Sequence, residues 1–171
     1  MTLIKAPTAT KLALEYKKFE KMDPCTRGTV KHDCTVRMTI ALSRSIGTDI
    51  LENFPHKPVH SWRCCRLDVD GRKNQYAHYT GPSKFKEYLH SLPPLCGFTF
   101  IKLPVDKIRK VIPEKLKASG IIYLKDCFWN KEHDSSGSHI DYWNGTRYTQ
   151  ASATDLIFRD RTAVYFCKLV G

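Results

Sequence analysis

Two segments that lie far apart in the sequence contain residue types able to form one active site. Cys34 opens a predicted helix, and His139 lies on a predicted strand more than a hundred residues later. A helix N-terminus favours thiolate over thiol, because unpaired backbone N–H groups and the positive end of the helix dipole face the sulfur. A histidine that meets such a cysteine in space can take its proton. The pair predicts a cysteine nucleophile, Cys34, with His139 as its base, and the alternative is a buried structural cysteine.

A third residue that orients the histidine is expected near the dipeptide Asn144-Gly145, which is a strong signal for a two-residue hairpin turn. If the residues on either side of that dipeptide face each other, counting outward places Gln150 opposite His139, with Cβ atoms about 5 Å apart. A side-chain amide at that distance can orient the imidazole. Asp141 lies on the same strand face as His139 and is the rival for this role.

The length of the chain suits a single domain, which we place at residues 1–171. No apolar stretch approaches the roughly 20 residues that a membrane helix needs, so no membrane span is expected. Residues 1–7 lack the apolar core of a secretory signal. The sequence therefore predicts synthesis in the cytoplasm without a signal peptide, and any export by a route that does not read one.

The net charge of +11 favours an anionic partner or surface. Nucleic acid, an acidic membrane face, a cell-wall polymer and an acidic protein would all qualify. The basic residues are scattered from Lys5 to Lys168 and accompany no recognised nucleic-acid motif. We therefore do not expect nucleic acid to be the anionic partner.

Seven cysteines leave at least one thiol outside any set of intrachain pairs, which suits a free catalytic cysteine. No two of them are spaced as in a zinc site, since Cys64 and Cys65 are adjacent. His56 and His60 have helical spacing, but Pro58 between them argues against the helix that would bring them together. We expect neither a metal nor another cofactor.

Hydrophobic periodicity predicts helices in the first part of the chain and strands in the last part. Gly47 is predicted to end the helix that Cys34 opens, while Ser83 and Asp106 are predicted N-caps of two later helices. The apolar residues of the Cys34 helix fall on nearly all sides, which is typical of a helix buried at the centre of a fold. The fold class is therefore α+β, with an antiparallel sheet. The predicted helices are 10–22, 34–46 and 84–91, and the predicted strands are 62–69, 120–125, 139–143 and 163–170.

The two blocks around the cysteine and the histidine resemble a known family. The chain is similar to the type VI secretion amidase effectors of family 4, in which the same two blocks occur in this order and at similar spacing. The first block matches at Cys34, Val36, Arg37, Met38 and Thr39, and the second at Ser138, His139, Trp143, Asn144 and Gly145.

The resemblance implies a papain-like, NlpC-type cysteine peptidase fold, with N-terminal helices packed on a C-terminal antiparallel sheet. It implies a toxin that cuts peptidoglycan stem peptides between γ-D-glutamate and meso-diaminopimelate in the periplasm of a rival Gram-negative cell. Its implied partners are the type VI secretion machinery and an acidic immunity protein that blocks the cleft. The family commonly has an aspartate as third residue where this chain has Gln150, which leaves Asp141 and Asp155 as the alternatives.

A function of another class also fits the residues. A basic module without catalytic activity could bind an anionic polymer, either cell wall or nucleic acid, through the same positive charge. Only an amidase would cleave its substrate, so digestion of purified peptidoglycan distinguishes the two hypotheses.

Overall fold

The computed structural model describes residues 4–18, 34–51, 81–103, 116–130, 135–149 and 162–171. The described residues form helices α1 (Ala9–Lys17), α2 (Cys34–Ile46) and α3 (Pro82–Ser91), followed by a 3₁₀ turn, Pro94–Cys96. They also form strands β1 (Ile101–Lys102), β2 (Gly120–Asn130), β3 (Ser135–Trp143) and β4 (Ala163–Lys168). Helices come first and strands last, which confirms the predicted α+β class.

The four strands form one antiparallel sheet in the order β1-β4-β2-β3. β3 therefore lies at an edge of the described sheet, and α2 packs against it. The larger apolar core lies between the helices and the sheet. A smaller cluster consists of Ile122, Leu124, Cys127, Trp143, Val164 and Phe166.

Helix α2 is buried on nearly all sides, as its residue pattern predicts. Its buried polar side chains are satisfied locally: the Thr39 hydroxyl donates to the Thr35 carbonyl at 2.6 Å, and the Ser45 hydroxyl donates to the Ala41 carbonyl at 2.7 Å. Each buried aliphatic side chain contributes about 1.5–3 kcal/mol relative to exposure. Gly47 follows the helix with φ of 77°, the left-handed conformation expected of a helix C-cap.

Helix α1 is shorter than its periodicity predicts, because it ends at Lys17 rather than near residue 22. Its start is capped by the Thr8 hydroxyl, which accepts a hydrogen bond from the Lys11 N–H. The ion pair between Glu15 and Arg44, 2.7 Å long, joins α1 to α2. This contact holds the C-terminal half of α1 beside the helix that carries Cys34.

Helix α3 begins earlier than predicted. Gly81 is its N-cap and Pro82 occupies its first turn, where a missing N–H costs nothing, so the prediction of Ser83 as the cap is wrong. The Ser83 hydroxyl instead lies 2.7 Å from the Tyr123 hydroxyl on β2. This hydrogen bond joins the start of α3 to the sheet.

The loop after β3 differs from the two-residue hairpin that Asn144-Gly145 predicts. Such a turn would place Trp143 opposite Thr146, but Trp143 pairs with Tyr148. The side-chain oxygen of Asn144 accepts hydrogen bonds at 2.9 Å from the N–H groups of Thr146 and of the next residue. This side chain closes a turn of its own and lengthens the loop to four residues. The predicted register is therefore wrong by two residues.

Some predictions lie outside the described residues. These are the strand at 62–69, the helix capped by Asp106, and the third-residue candidates Gln150 and Asp155. Where the structure does describe the chain, none of its helices combines the length and the apolar character needed to cross a bilayer.

Candidate active site

Cys34 is the first residue of α2, and its side chain is buried against β3. The side chain of His139 and the backbone of Ile140 lie close enough to the thiol to lower its pKa. Its sulfur also lies 3.8 Å from the Thr35 hydroxyl. Because β3 is an edge strand of the described sheet, its backbone can interact with the helix as well as with β2. The two residues that the sequence pairs across more than a hundred positions therefore meet.

His139 lies on β3, where it pairs with Leu124 of β2. Directly beyond this pair the ladder between β2 and β3 shifts register, and Phe128 is the next β2 residue to pair with β3. Asp126, inside this bulge, has a φ of 55°, a conformation that a short polar side chain tolerates better than most. A bulge re-aims the side chains beside it, and here it lies next to the imidazole. The side chain of His139 keeps 15% of its surface exposed, which leaves a route for a substrate.

Asp141 is the acidic residue that the structure brings to His139. It lies two residues further along β3, is fully buried, and places Oδ2 3.5 Å from Nε2 of the imidazole. Its other oxygen, Oδ1, accepts a hydrogen bond from the Tyr142 N–H at 2.7 Å. Since Nε2 faces the carboxylate, Nδ1 is the ring nitrogen left for the Cys34 thiol. Neither Gln150 nor Asp155 lies among the described residues, and the register that placed Gln150 opposite His139 is the one corrected above.

The electrostatics of this cluster favour a thiolate and an imidazolium. Burial raises the pKa of the Cys34 thiol, but the hydrogen bond and charge of His139, with smaller contributions from Ile140 and Thr35, outweigh it and lower that pKa. Burial lowers the pKa of His139, but hydrogen bonds with Asp141 and Cys34 and their charges raise it to about 10. The proton is therefore stabilised on the imidazole and the negative charge on the sulfur.

Two other described cysteines have thiols whose pKa is raised, whereas that of Cys34 is lowered. Burial raises the pKa of Cys127 to about 12, and the charge of Cys34 adds to the effect. Burial also raises the pKa of Cys167 to about 12. A thiol that stays protonated at neutral pH is a poor nucleophile, so these two are structural residues.

One residue beside the cluster was missed by sequence reasoning. Tyr16 on α1 is fully buried, and its ring centroid lies 6.3 Å from that of Tyr142 on β3. The periodicity of α1 indicates an inward face, but nothing in the pattern shows that this face ends beside Asp141. The meeting of α1 with β3 is a tertiary contact, which local sequence does not encode.

A helix that begins with a cysteine, packed on an antiparallel sheet that carries a histidine and an aspartate, defines a papain-like α+β fold. A family model matches residues 30–167, and its description is "Type VI secretion system (T6SS), amidase effector protein 4". The match covers most of the chain, so the chain belongs to this family, Tae4.

The solved structures similar to this chain include Tae4 effectors from two bacteria. The Tae4 effector of Enterobacter cloacae is 13% identical, with a TM-score of 0.61 and complete coverage of both chains. Tae4 of Salmonella typhimurium, solved in complex with the immunity protein Tai4 of E. cloacae, is 14% identical to this chain and has a TM-score of 0.59. The alignment covers 96% of this chain and 99% of the S. typhimurium chain. The S. typhimurium Tae4/Tai4 effector–immunity structure is 17% identical, with the same coverage and TM-score. No curated protein sequence is significantly similar.

Proposed function

We propose that this T6SS amidase effector is a cysteine-dependent peptidoglycan hydrolase that cleaves the γ-D-glutamyl–meso-diaminopimelate bond of stem peptides. The observation that supports it best is the cluster in which His139 lies beside Cys34 and lowers the pKa of its thiol, with Asp141 on the other side of the imidazole. A thiol and an imidazole in this arrangement are suited to amide hydrolysis through an acyl intermediate. The choice of bond comes from the family resemblance.

The first half of the mechanism forms a thioester. His139 holds the proton of Cys34, and the thiolate attacks the carbonyl carbon of the γ-amide. The negative oxygen that results lies against the N–H groups at the start of α2, which lack partners within the helix. The imidazolium then protonates the departing amine of diaminopimelate, and the C–N bond breaks.

The second half releases the acyl group. His139, now neutral, takes a proton from a water molecule whose oxygen attacks the thioester carbonyl. The C–S bond breaks, the sulfur leaves as the thiolate, and the D-glutamyl carboxylate is the product. Asp141 keeps Nε2 protonated throughout, so that Nδ1 can exchange the proton with sulfur and water.

The positive charge of the chain fits this substrate. Stem peptides carry free carboxylates, and a net charge of +11 attracts an anionic polymer. The same charge suits an acidic inhibitor. Tae4 of S. typhimurium is found in complex with a Tai4 immunity protein, and we propose that a cognate acidic immunity protein blocks the cleft of this chain.

Digestion of purified Gram-negative peptidoglycan tests the reaction. We expect the wild-type chain to release soluble peptides with new amine ends on diaminopimelate, identified by mass spectrometry. Cys34→Ala, matched in preparation and concentration, should release none. Binding of the sacculi without any new ends would contradict the proposal and favour the non-catalytic basic module instead.

The place of action gives a second prediction. We propose delivery by the type VI machinery into the periplasm of a target cell, where stem peptides are exposed. Expression fused to a periplasmic signal should therefore lyse a Gram-negative host, whereas cytoplasmic expression of the same chain should be tolerated. Culture density after induction measures both, with Cys34→Ala as the control. Equal toxicity in the two compartments would point to a cytoplasmic target.

A further inference from the structure

The hydroxyl of Tyr16 is buried beside the candidate active site. Tyr16 lies in the last turn of α1, and its side chain is fully buried. No hydrogen-bond partner at standard geometry is found for this hydroxyl in the described part of the chain. A buried hydroxyl without a partner is destabilising, and such groups are few in folded proteins. This one therefore calls for an explanation.

Two contacts fix the position of Tyr16. On the helix side, the ion pair between Glu15 and Arg44 holds α1 against α2. On the sheet side, the Tyr142 hydroxyl donates to the Ala9 carbonyl at 3.1 Å, and the rings of Tyr142 and Tyr16 are adjacent. Tyr16 is thus held at the place where α1, α2 and β3 meet, which is also the place of the Cys34–His139 pair.

The geometry offers the carboxylate of Asp141 as an acceptor for the Tyr16 hydroxyl: Oδ1 of Asp141 lies 2.7 Å from the N–H of Tyr142, whose ring packs against that of Tyr16. Burial raises the pKa of the Tyr16 phenol well above its ordinary value, and the nearby Asp141 carboxylate and Cys34 raise it further, against a smaller opposite effect of Arg37. A fully buried carboxylate is stabilised by every donor it can accept from, and it has about four lone-pair sites. A buried phenol needs an acceptor. Each group supplies what the other requires.

We propose that Tyr16 is a positioning residue, whose hydroxyl donates a hydrogen bond to Asp141 and thereby holds the carboxylate against His139. This rests on the proposed cysteine amidase function and adds a residue that acts through Asp141 rather than on the substrate. The 3.5 Å separation of Asp141 from Nε2 is long for a charge-assisted hydrogen bond. A carboxylate anchored from behind can hold that contact during turnover.

Other ionisable groups surround Asp141 and Tyr16. His139 and Tyr16 face the Asp141 carboxylate as described, and Cys34 and Arg37 of α2 act on Tyr16 itself. Tyr148 has a second buried hydroxyl without a partner among the described residues, and the charge of Asp141 raises its pKa after burial. The ring of Tyr148 packs against Trp143, with centroids 5.1 Å apart. The ring of Tyr16 packs against Tyr142, whose N–H is bonded to Asp141, and this favours Tyr16 as the donor.

The test compares Tyr16→Phe with Tyr88→Phe. Tyr88 is a matched control, because its buried hydroxyl donates to the Ile50 carbonyl at 2.6 Å and is not part of the Cys34 cluster. We expect Tyr16→Phe to lower kcat about tenfold with KM within about twofold, since it acts on the chemical step rather than on binding. Tyr88→Phe should lower Tm and leave kcat unchanged.

A second readout does not depend on turnover. The rate at which iodoacetamide alkylates Cys34, measured by peptide mass spectrometry across pH, reports the pKa of the thiol. With Asp141 less firmly held, the imidazolium is less stable and the thiol loses its proton less readily. The midpoint in Tyr16→Phe should therefore move to higher pH, by about half a unit or more. Tyr88→Phe should keep the wild-type midpoint.

The outcomes separate this inference from the proposed function. Wild-type kcat and an unshifted alkylation curve in Tyr16→Phe, with Cys34→Ala inactive, would overturn the role of Tyr16 and leave the amidase intact. A wild-type chain without amidase activity would instead overturn the function, and the alkylation curve would still test Tyr16. If Tyr16→Phe does not fold, a crystal structure of the wild type decides: a Tyr16 hydroxyl bonded to any group other than Asp141 overturns the inference.

Discussion

Cys34→Ala is expected to abolish amide hydrolysis, lowering kcat by about four powers of ten or more, because a nucleophile and its base act as a unit. In the proposed mechanism the Cys34 sulfur is the atom that attacks, and Cys34 is the described thiol that raises the pKa of the His139 imidazole. The measurement is the rate of peptide release from peptidoglycan, with circular dichroism to confirm folding. His139→Ala should have an effect of similar size, and the double variant should be scarcely worse than either.

Cys167→Ala is the control for this experiment. Cys167 is also buried, and its thiol donates to the Gly97 carbonyl at 3.7 Å, away from the cluster. Its removal should lower stability and leave kcat near the wild-type value, because a cavity costs folding free energy without touching the chemistry. Full activity in Cys34→Ala, or complete inactivity in a folded Cys167→Ala, would contradict the assignment of the nucleophile.

The pKa shifts give this prediction a pH dependence. The lowered pKa of Cys34 means that the thiolate forms below the ordinary range of a thiol, while the raised pKa of His139, about 10, keeps the imidazolium charged until alkaline pH. The ion pair exists between the two values. Activity should therefore appear at a lower pH than an ordinary thiol would allow, and fall as the pH rises toward 10.

The pair of catalytic candidates could be predicted from the sequence because each signal is local. Cys34 opens an apolar helix, and His139 lies in a stretch rich in aromatic and β-branched residues, so both elements were identified without knowledge of their contacts. Their meeting was an inference from chemistry, and in the structure the two side chains lie close enough for His139 to lower the pKa of the Cys34 thiol. Their catalytic roles stay a prediction. Burial of α2 on nearly all sides followed from the same residue pattern.

The third residue was harder to predict because it depends on register. Asn144-Gly145 indicates a turn correctly, but the Asn144 side chain accepts two backbone hydrogen bonds and lengthens the loop. An error of two residues in a loop changes which residue lies opposite His139. Asp141 was predicted only as the rival of Gln150, from the two-residue period of the strand, which no loop can alter.

Contacts made by distant elements could not be read from the sequence at all. Tyr16 belongs to a short helix whose inward face is clear, yet its neighbours on β3 depend on how α1 crosses the sheet. The bulge around Asp126 likewise has no signal beyond a single aspartate. Both features shape the surroundings of Asp141 and His139, and both arise from packing rather than from local preference.

Asp141→Asn should lower kcat by about two to three powers of ten with little change in KM, because the imidazolium loses the charge that stabilises it. Asparagine keeps the shape of the side chain and an oxygen that can accept the Tyr142 N–H, so the change is mainly one of charge. Loss of the carboxylate also lowers the pKa of His139. The alkaline limb of the pH–rate profile should therefore move to lower pH, which a profile of kcat measures directly.

The comparison that decides the third residue is Gln150→Ala. The two-residue hairpin predicted that Gln150 orients His139 and that Asp141 matters less, whereas the observed contact of Asp141 with Nε2 favours the reverse order. We expect Gln150→Ala to cost less than Asp141→Asn and to leave the alkaline limb in place, because an amide carries no charge that could shift the pKa of the imidazole. A larger loss in Gln150→Ala, with a wild-type profile in Asp141→Asn, would reassign the third position to Gln150 and leave Cys34 and His139 as they are.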